Sequence, residues 1–231
     1  MTQHIGIVAC SAEGAALCYR TIALAGAHLL GRHDHPEVSM HTHPLARYMS
    51  CIYADDWAGV ADLMLSSADK LAQAGADFLI CPDNTVHQAF GLVEQRSPRP
   101  WLHIAQEVAN EARRSHFKRL GVLGTRYLME GPVYPEKLQA SGVEYRTPDQ
   151  PARERINEII MDELVNAQFT PRSLAYFQEI IRTLAAQGCD AVVLGCTEIP
   201  LLVTPDSSPL PTLDSTRLLA KAAVKKAVGT P

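Results

Sequence analysis

The sequence predicts an α/β protein made of two similar parallel-sheet domains, and three observations carry that expectation. Short apolar runs alternate with longer stretches of helical period, the pattern of successive β-α units. The segment Leu71–Thr85 recurs without a gap as Leu184–Glu198, an offset of 113 residues, and each copy reads as a helix end, a stopping glycine, an apolar strand and a polar turn. Further matches run in the same order: Ile5-Gly6-Ile7-Val8 with Leu120-Gly121-Val122-Leu123 and Tyr19 with Tyr134, at an offset of 115, then Ile104 with Leu213 at 109.

Taken in order, the expected strands are Ile5–Ala9, Val38–His41, Phe78–Cys81, Trp101–Ile104, Leu120–Leu123, Ala191–Leu194 and Leu210–Leu213. Helical period covers Ala12–Leu29, Trp57–Gly75, Thr85–Glu94, Gln106–Arg114, Tyr134–Ala140, Pro151–Asn166, Arg172–Gln187 and Ser215–Val228. Pro148-Asp149-Gln150-Pro151 and the stretch Thr204–Pro209 are loop signals, too short for flexible linkers. The expected domains are residues 1–99 plus 210–231 and residues 100–209.

At 231 residues, 47% hydrophobic and 20% charged, the chain has the apolar mass for substantial cores. A net charge of -4 with 21 Lys+Arg and no basic stripe speaks against nucleic acid or an anionic membrane as partner and leaves a small molecule. No window approaches the apolar length of a membrane span and no leader pattern stands out, so a cytoplasmic protein is expected. The six cysteines form no C-x-x-C pair, so each is expected to be a buried thiol or a chemical one.

In parallel α/β sheets the ligand crevice lies beyond the carboxyl ends of the strands. Two like halves facing each other about a pseudo-twofold axis would bring their strand-end turns to one cleft, with Asp83 and Cys196 at equivalent positions. Two proton-handling groups on opposite sides of a stereocentre suit inversion at Cα. Each turn is followed by a helix start, at Asn84-Thr85-Val86 and Thr197-Glu198-Ile199, where N–H groups would meet a substrate carboxylate and favour the Cys196 thiolate.

Gly195-Cys196-Thr197-Glu198-Ile199-Pro200, Asn84-Thr85-Val86-His87, Leu123-Gly124-Thr125-Arg126-Tyr127 and Ile156-Asn157-Glu158-Ile159-Ile160 resemble the aspartate/glutamate racemase family. The resemblance covers nearly the whole chain. It implies two α/β domains related by a pseudo-dyad, cofactor-independent racemization of an acidic amino acid, and a homodimer. It also implies that Cys196 is a catalytic cysteine, that Asn84 and Thr85 bind substrate, and that Thr125 and Thr197 touch its carboxylate side. Two departures stand out. Asp83 occupies the position where the family usually has a cysteine, and Ala9-Cys10-Ser11-Ala12-Glu13-Gly14 replaces a glycine-rich first turn, bringing Ser11 to the site.

A solvated aspartate has a pKa of about 3.9 and is a weak base, and burial raises it. Asp83 is therefore expected either as a desolvated acid partnering Cys196 or as a carboxylate facing a cationic part of another substrate. A dicarboxylate needs a cation, for which Arg47 and Arg126 stand on expected strand-end loops, with His43 also near the rim. Glu198 is expected to receive the substrate ammonium or to cap its helix. Cys81 and Cys10 read as strand-end thiols, Cys18, Cys51 and Cys189 as packing residues, and His87 and His103 as structural histidines. The cluster His33, His35, His41 and His43 carries only an H-x-H pair, too little for a zinc site, and no metal is expected. No dinucleotide loop, P-loop or Schiff-base lysine context calls for NAD, ATP or pyridoxal phosphate, so no cofactor is expected. The favoured reading is thus a two-sided amino-acid racemase. The alternatives are a one-sided cysteine-dependent decarboxylase, hydantoin-type racemase or cis-trans isomerase, and a catalytically silent carboxylate-binding protein.

Overall fold

A computed structural model describes residues 2–229. The chain forms two compact units, one holding the chain up to Ile104 and again from Thr216, the other Ala105–Ser215. Each contains a four-stranded parallel sheet, as the alternating pattern requires.

The first unit runs β1 (Ile5–Ala9), α1 (Ala12–Leu30), β2 (Val38–Thr42), α2 (Leu45–Tyr53), α3 (Trp57–Gln73), β3 (Phe78–Ile80), a 3-10 turn (Thr85–Ala89), α4 (Phe90–Glu94) and β4 (Trp101–Leu102). After α5 (Ile104–Arg114) the second unit runs β5 (Arg119–Leu123), α6 (Arg126–Glu130), α7 (Val133–Ala140), β6 (Glu144–Arg146), α8 (Gln150–Glu158), α9 (Pro171–Ala186), β7 (Ala191–Leu194), α10 (Ile199–Leu202) and β8 (Thr212–Asp214). Helix α11 (Ser215–Val228) returns to the first unit, where Leu219, Ala220, Ala223, Val224 and Ala227 complete a core with Ile5, Ile7, Ile22, Phe78 and Ile80. The second core gathers Ile156, Ile160, Phe177, Ile181, Leu184, Val192 and Leu194.

The strand orders are β2-β1-β3-β4 and β6-β5-β7-β8, one topology written twice. The registers agree residue for residue at the sheet centres: Ile5 pairs with Phe78, and their sequence equivalents Leu120 and Ala191 pair with each other. Local devices repeat as well. Asp77 accepts the His4 N–H at 2.7 Å and Asp190 accepts the Arg119 N–H at 3.2 Å, so one aspartate pins the start of each central strand. Gly75 and Gly188 turn the chain there at φ 98° and 87°, where a side chain would be strained. A Cβ on Gly6 would lie 3.3 Å from Leu71 Cβ, and one on Gly121 would lie 3.4 Å from Leu184 Cβ. The same leucine thus packs onto the same strand glycine in both units.

Four differences from the sequence expectation stand out. Trp101–Leu102 pairs with β3 in the first sheet and Thr212–Asp214 with β7 in the second, which differs from the boundaries drawn at residues 99 and 210. The register then matches Leu102 with Leu213, so Ile104 is not the partner of Leu213. Strand β6 has all three residues exposed and so lacks the apolar run that marks a buried strand. Tyr19 and Tyr134 share a sequence offset but not an environment, since Tyr19 is exposed and Tyr134 buried.

Candidate active-site residues

Beyond the carboxyl ends of β1 and β3 the first unit gathers Ser11, Asp83, Asn84 and Thr85. Ser11 caps α1, its hydroxyl accepting the Gly14 N–H at 3.2 Å. Asp83 is half-buried, and one carboxylate oxygen takes the Val86 N–H at a long 3.5 Å. Its backbone is held more firmly. His87 Nδ1 bonds the Asp83 carbonyl at 2.7 Å while Nε2 accepts the Ile104 N–H at 3.4 Å, which fixes the neutral ring with its proton on Nδ1. The ring stacks on Phe90 and meets His103 edge-on, so His87 is structural, positioning the Asp83 turn. Asn84 is buried and Thr85 half-buried in the same turn.

Arg47 stands on α2 and not on a loop, and Arg126 opens α6 and likewise is not on a loop. Helix α2 is not among the elements expected from the sequence, although Leu45, Tyr48 and Ile52 keep helical spacing. Arg47 is exposed, with one guanidinium nitrogen 3.4 Å from His43 Nδ1. His43 Nε2 lies 3.1 Å from Ser66 Oγ and His41 Nδ1 lies 2.9 Å from Ser67 Oγ, so both histidines tie β2 to α3. Burial and the nearby Lys70 hold both imidazoles below their ordinary range. Among the described residues no group of three or more His, Cys, Asp or Glu converges as a metal site.

In the second unit the ends of β5 and β7 carry Thr125, Arg126, Cys196, Thr197 and Glu198. Two glycines let these turns close together. A Cβ on Gly195 would lie 2.5 Å from Leu128 Cδ2 and 2.8 Å from the Leu123 carbonyl, and one on Gly124 would lie 2.6 Å from Leu128 Cδ2. Through this gap the Gly195 N–H reaches the Leu123 carbonyl at 2.7 Å. Thr125 then caps α6, accepting the Leu128 N–H at 3.3 Å. The exposed Arg126 donates its backbone N–H to Asn157 Oδ1 at 3.0 Å and sets its guanidinium over the Tyr127 ring.

Glu198 organises the cysteine turn. It is only 5% exposed, and its Oε2 accepts the Cys196 thiol at 2.9 Å and the Thr197 hydroxyl at 2.8 Å. The Cys196 thiol thus donates to a carboxylate of its own turn, a partner set beside the helix start expected from the sequence. Helix α10 has only four residues and a correspondingly small dipole. Glu198 stands at the N-cap position of α10 without a side-chain cap bond and instead accepts from the two residues before it. Of the remaining cysteines, Cys10, Cys18, Cys81 and Cys189 are buried and Cys51 half-buried.

No helix among the described residues is long and apolar enough to cross a membrane. A family model described as Asp/Glu/Hydantoin racemase matches residues 5–223. The chain is 27% identical over 197 residues to the broad specificity amino-acid racemase RacX of Bacillus subtilis, an alignment covering 83% of this chain and 82% of that protein. A crystal structure of a candidate Asp/Glu racemase from Yersinia pestis superposes with a TM-score of 0.90 at 31% identity, covering 98% of this chain and 99% of the other. An aspartate racemase homologue from Pyrococcus horikoshii shares the fold at a TM-score of 0.85 and 23% identity, covering 99% and 100% of the two chains. With two sheets of one topology, the motifs at their strand ends and a family match spanning nearly the full length, the chain belongs to the Asp/Glu/Hydantoin racemase family.

Proposed function

We propose that the protein is a cofactor-independent amino-acid racemase of aspartate/glutamate type, in which Cys196 and Asp83 exchange the Cα proton from opposite faces of the substrate. The observation that carries this reading is the shared register. Asp83 follows Phe78 as Cys196 follows Ala191, at the ends of equivalent strands in two like sheets. Family membership supports amino-acid inversion as the reaction.

On this reading Glu198 receives the substrate ammonium. Salt bridging by that cation withdraws the carboxylate from the Cys196 thiol, and the sulfur becomes a base only when substrate is present. Asn84, Thr85, Thr125 and Thr197 donate to the α-carboxylate and to the charge that develops at Cα. Ser11, Arg47 and Arg126 serve the distal carboxylate. The enzyme acts as a cytoplasmic homodimer on a small-molecule substrate, without nucleic acid or membrane partners.

A second reading draws support from the Cys196–Glu198 pair. A thiol and its own proton acceptor within one turn suffice for chemistry on a single face, as in a decarboxylase or a hydantoin-type racemase. Incubation with each enantiomer of aspartate, glutamate and neutral amino acids in heavy water, followed by NMR at Cα, separates the two. Inversion with deuterium incorporation is expected. Exchange without inversion would replace the two-sided reading by the one-sided one, and thermal stabilisation by ligand without exchange would replace both by a binding protein.

A further inference from the structure

Arg47 on α2 has one polar contact, a guanidinium nitrogen 3.4 Å from His43 Nδ1, and it pairs with no carboxylate among the described residues. A guanidinium carries five N–H donors in a planar fork, so this one has donors to spare. One turn along α2 stands Cys51, and across from both α3 presents Gly59, Asp62, Leu63 and Ser66. These six residues line a cavity of about 290 Å³ on the first unit. Helix α2 follows the carboxyl end of β2, the side of a parallel sheet on which ligands bind. Of the residues placed at the strand-end turns of this unit, Ser11, Asp83, Asn84 and Thr85, none lines the cavity.

The charges and protons of the lining decide what the cavity takes. Asp62 is the one acid in it, and Arg96 meets Asp62 Oδ1 at 2.9 Å, which leaves Arg47 as the unmatched charge. Arg47 donates to His43 Nδ1, so the proton of the neutral ring sits on Nε2 and is donated to Ser66 Oγ at 3.1 Å. Burial, then Lys70, His41 and Arg47, hold that ring below its ordinary range, so it stays neutral at pH 7. With its oxygen engaged by His43, Ser66 has its own proton left for a further acceptor, and the described residues supply none. The cavity thus offers an anion a charged fork and a hydroxyl proton, set against the Leu63 and Cys51 side chains. A planar fork suits the two oxygens of a carboxylate, and the apolar wall suits a short carbon chain, which a phosphate ion lacks.

We propose that the cavity between α2 and α3 binds a small organic acid, its carboxylate gripped by Arg47 and by Ser66, which His43 holds in the donating orientation. The inference rests on the proposed function only in giving Arg47 to a carboxylate, which is either the distal one of an acidic substrate or that of a separate acid. The probe is succinate, titrated into the full chain by calorimetry, with the His43 ring followed by NMR. Saturable binding is expected, and the His43 midpoint should move up because an anion arrives beside it. Arg47→Met should abolish binding, Ser66→Ala should weaken it about tenfold, and Ser66→Thr, which keeps the hydroxyl, should restore it. Asp62→Asn should tighten it by removing the one acid of the lining. No saturable binding, binding indifferent to Arg47→Met and Ser66→Ala in chains that melt like the native one, or phosphate bound as tightly as succinate overturns the proposal. Where Arg47→Met does not fold, the opposite signs of Ser66→Ala and Asp62→Asn carry the test. If succinate inhibits Cα exchange of aspartate, with an inhibition constant that rises in Ser66→Ala by the same factor as its dissociation constant, the carboxylate is the substrate's. If exchange proceeds unchanged with succinate bound, it is a separate acid's. Exchange without succinate binding removes the cavity site and leaves the racemase reading, and binding without exchange does the reverse.

Discussion

The strand-end turns of β3 and β7 follow strands of one register, yet they spend their polar groups differently. In the second unit the thiol of Cys196 has its carboxylate two residues away, and Thr197 donates to the same oxygen, so donors and acceptor meet within one turn. In the first unit the Asp83 carboxylate takes the Val86 N–H at a long distance, and His87 of the following 3-10 turn holds the Asp83 backbone. The difference teaches that duplicating a sheet duplicates positions, whereas the chemistry at each position is set by which side chains stand in its turn.

The sharpest test of that division is at the thiol. Cys196→Ser is expected to lower Cα proton exchange by about 10³-fold, measured in heavy water, because a hydroxyl is a far poorer acid and base than a thiol. Retained exchange would move the chemistry wholly to the Asp83 half. Next in size is a backbone comparison at equivalent positions. Gly195→Ala forces a methyl against Leu128 and the Leu123 carbonyl and is expected to cost about 2 kcal/mol in a urea melt. Pro82 holds the matching place before Asp83, so Pro82→Ala should cost less than that; equal losses would deny the asymmetry of the two turns.

Glu198→Gln removes a negative charge beside Cys196 and is expected to lower the thiol titration midpoint by about one unit, read from thiolate absorbance. A midpoint that rises instead would show that Glu198 does not hold the proton on sulfur. The smallest effect concerns the edge of the first sheet. His41 and His43 are held below their usual 6.5 in the folded chain, so the unfolded chain binds protons more readily there. Stability from this source is present above that value and lost as pH falls below it. Lys70→Met removes one cause and should flatten the decline of melting temperature between about pH 7.5 and about pH 5. A decline as steep as that of the native chain would count against the coupling.

Much of this was legible in the sequence, for identifiable reasons. Buried parallel strands are continuous apolar runs, so Ile5–Ala9 and Ala191–Leu194 have the bounds read from the sequence. The central repeat was readable because Gly6 with Leu71 and Gly121 with Leu184 are packing necessities that substitution would break. Edge elements were harder: β6 is exposed, and α2 and α6 are short helices of nine and five residues. Site residues next to the repeat, such as Cys196 and Asp83, followed from register.

The route of the chain has a consequence for biosynthesis. Ala105–Ser215 is an uninterrupted segment whose core residues all lie within it, and it can condense while translation continues. The first unit cannot, because Leu219, Val224 and Ala227 of α11 are missing from its interior until that helix is made. A premature stop just before Thr216 would spare the inner unit and leave the half bearing Asp83 without its keystone, exposing apolar sheet to aggregation.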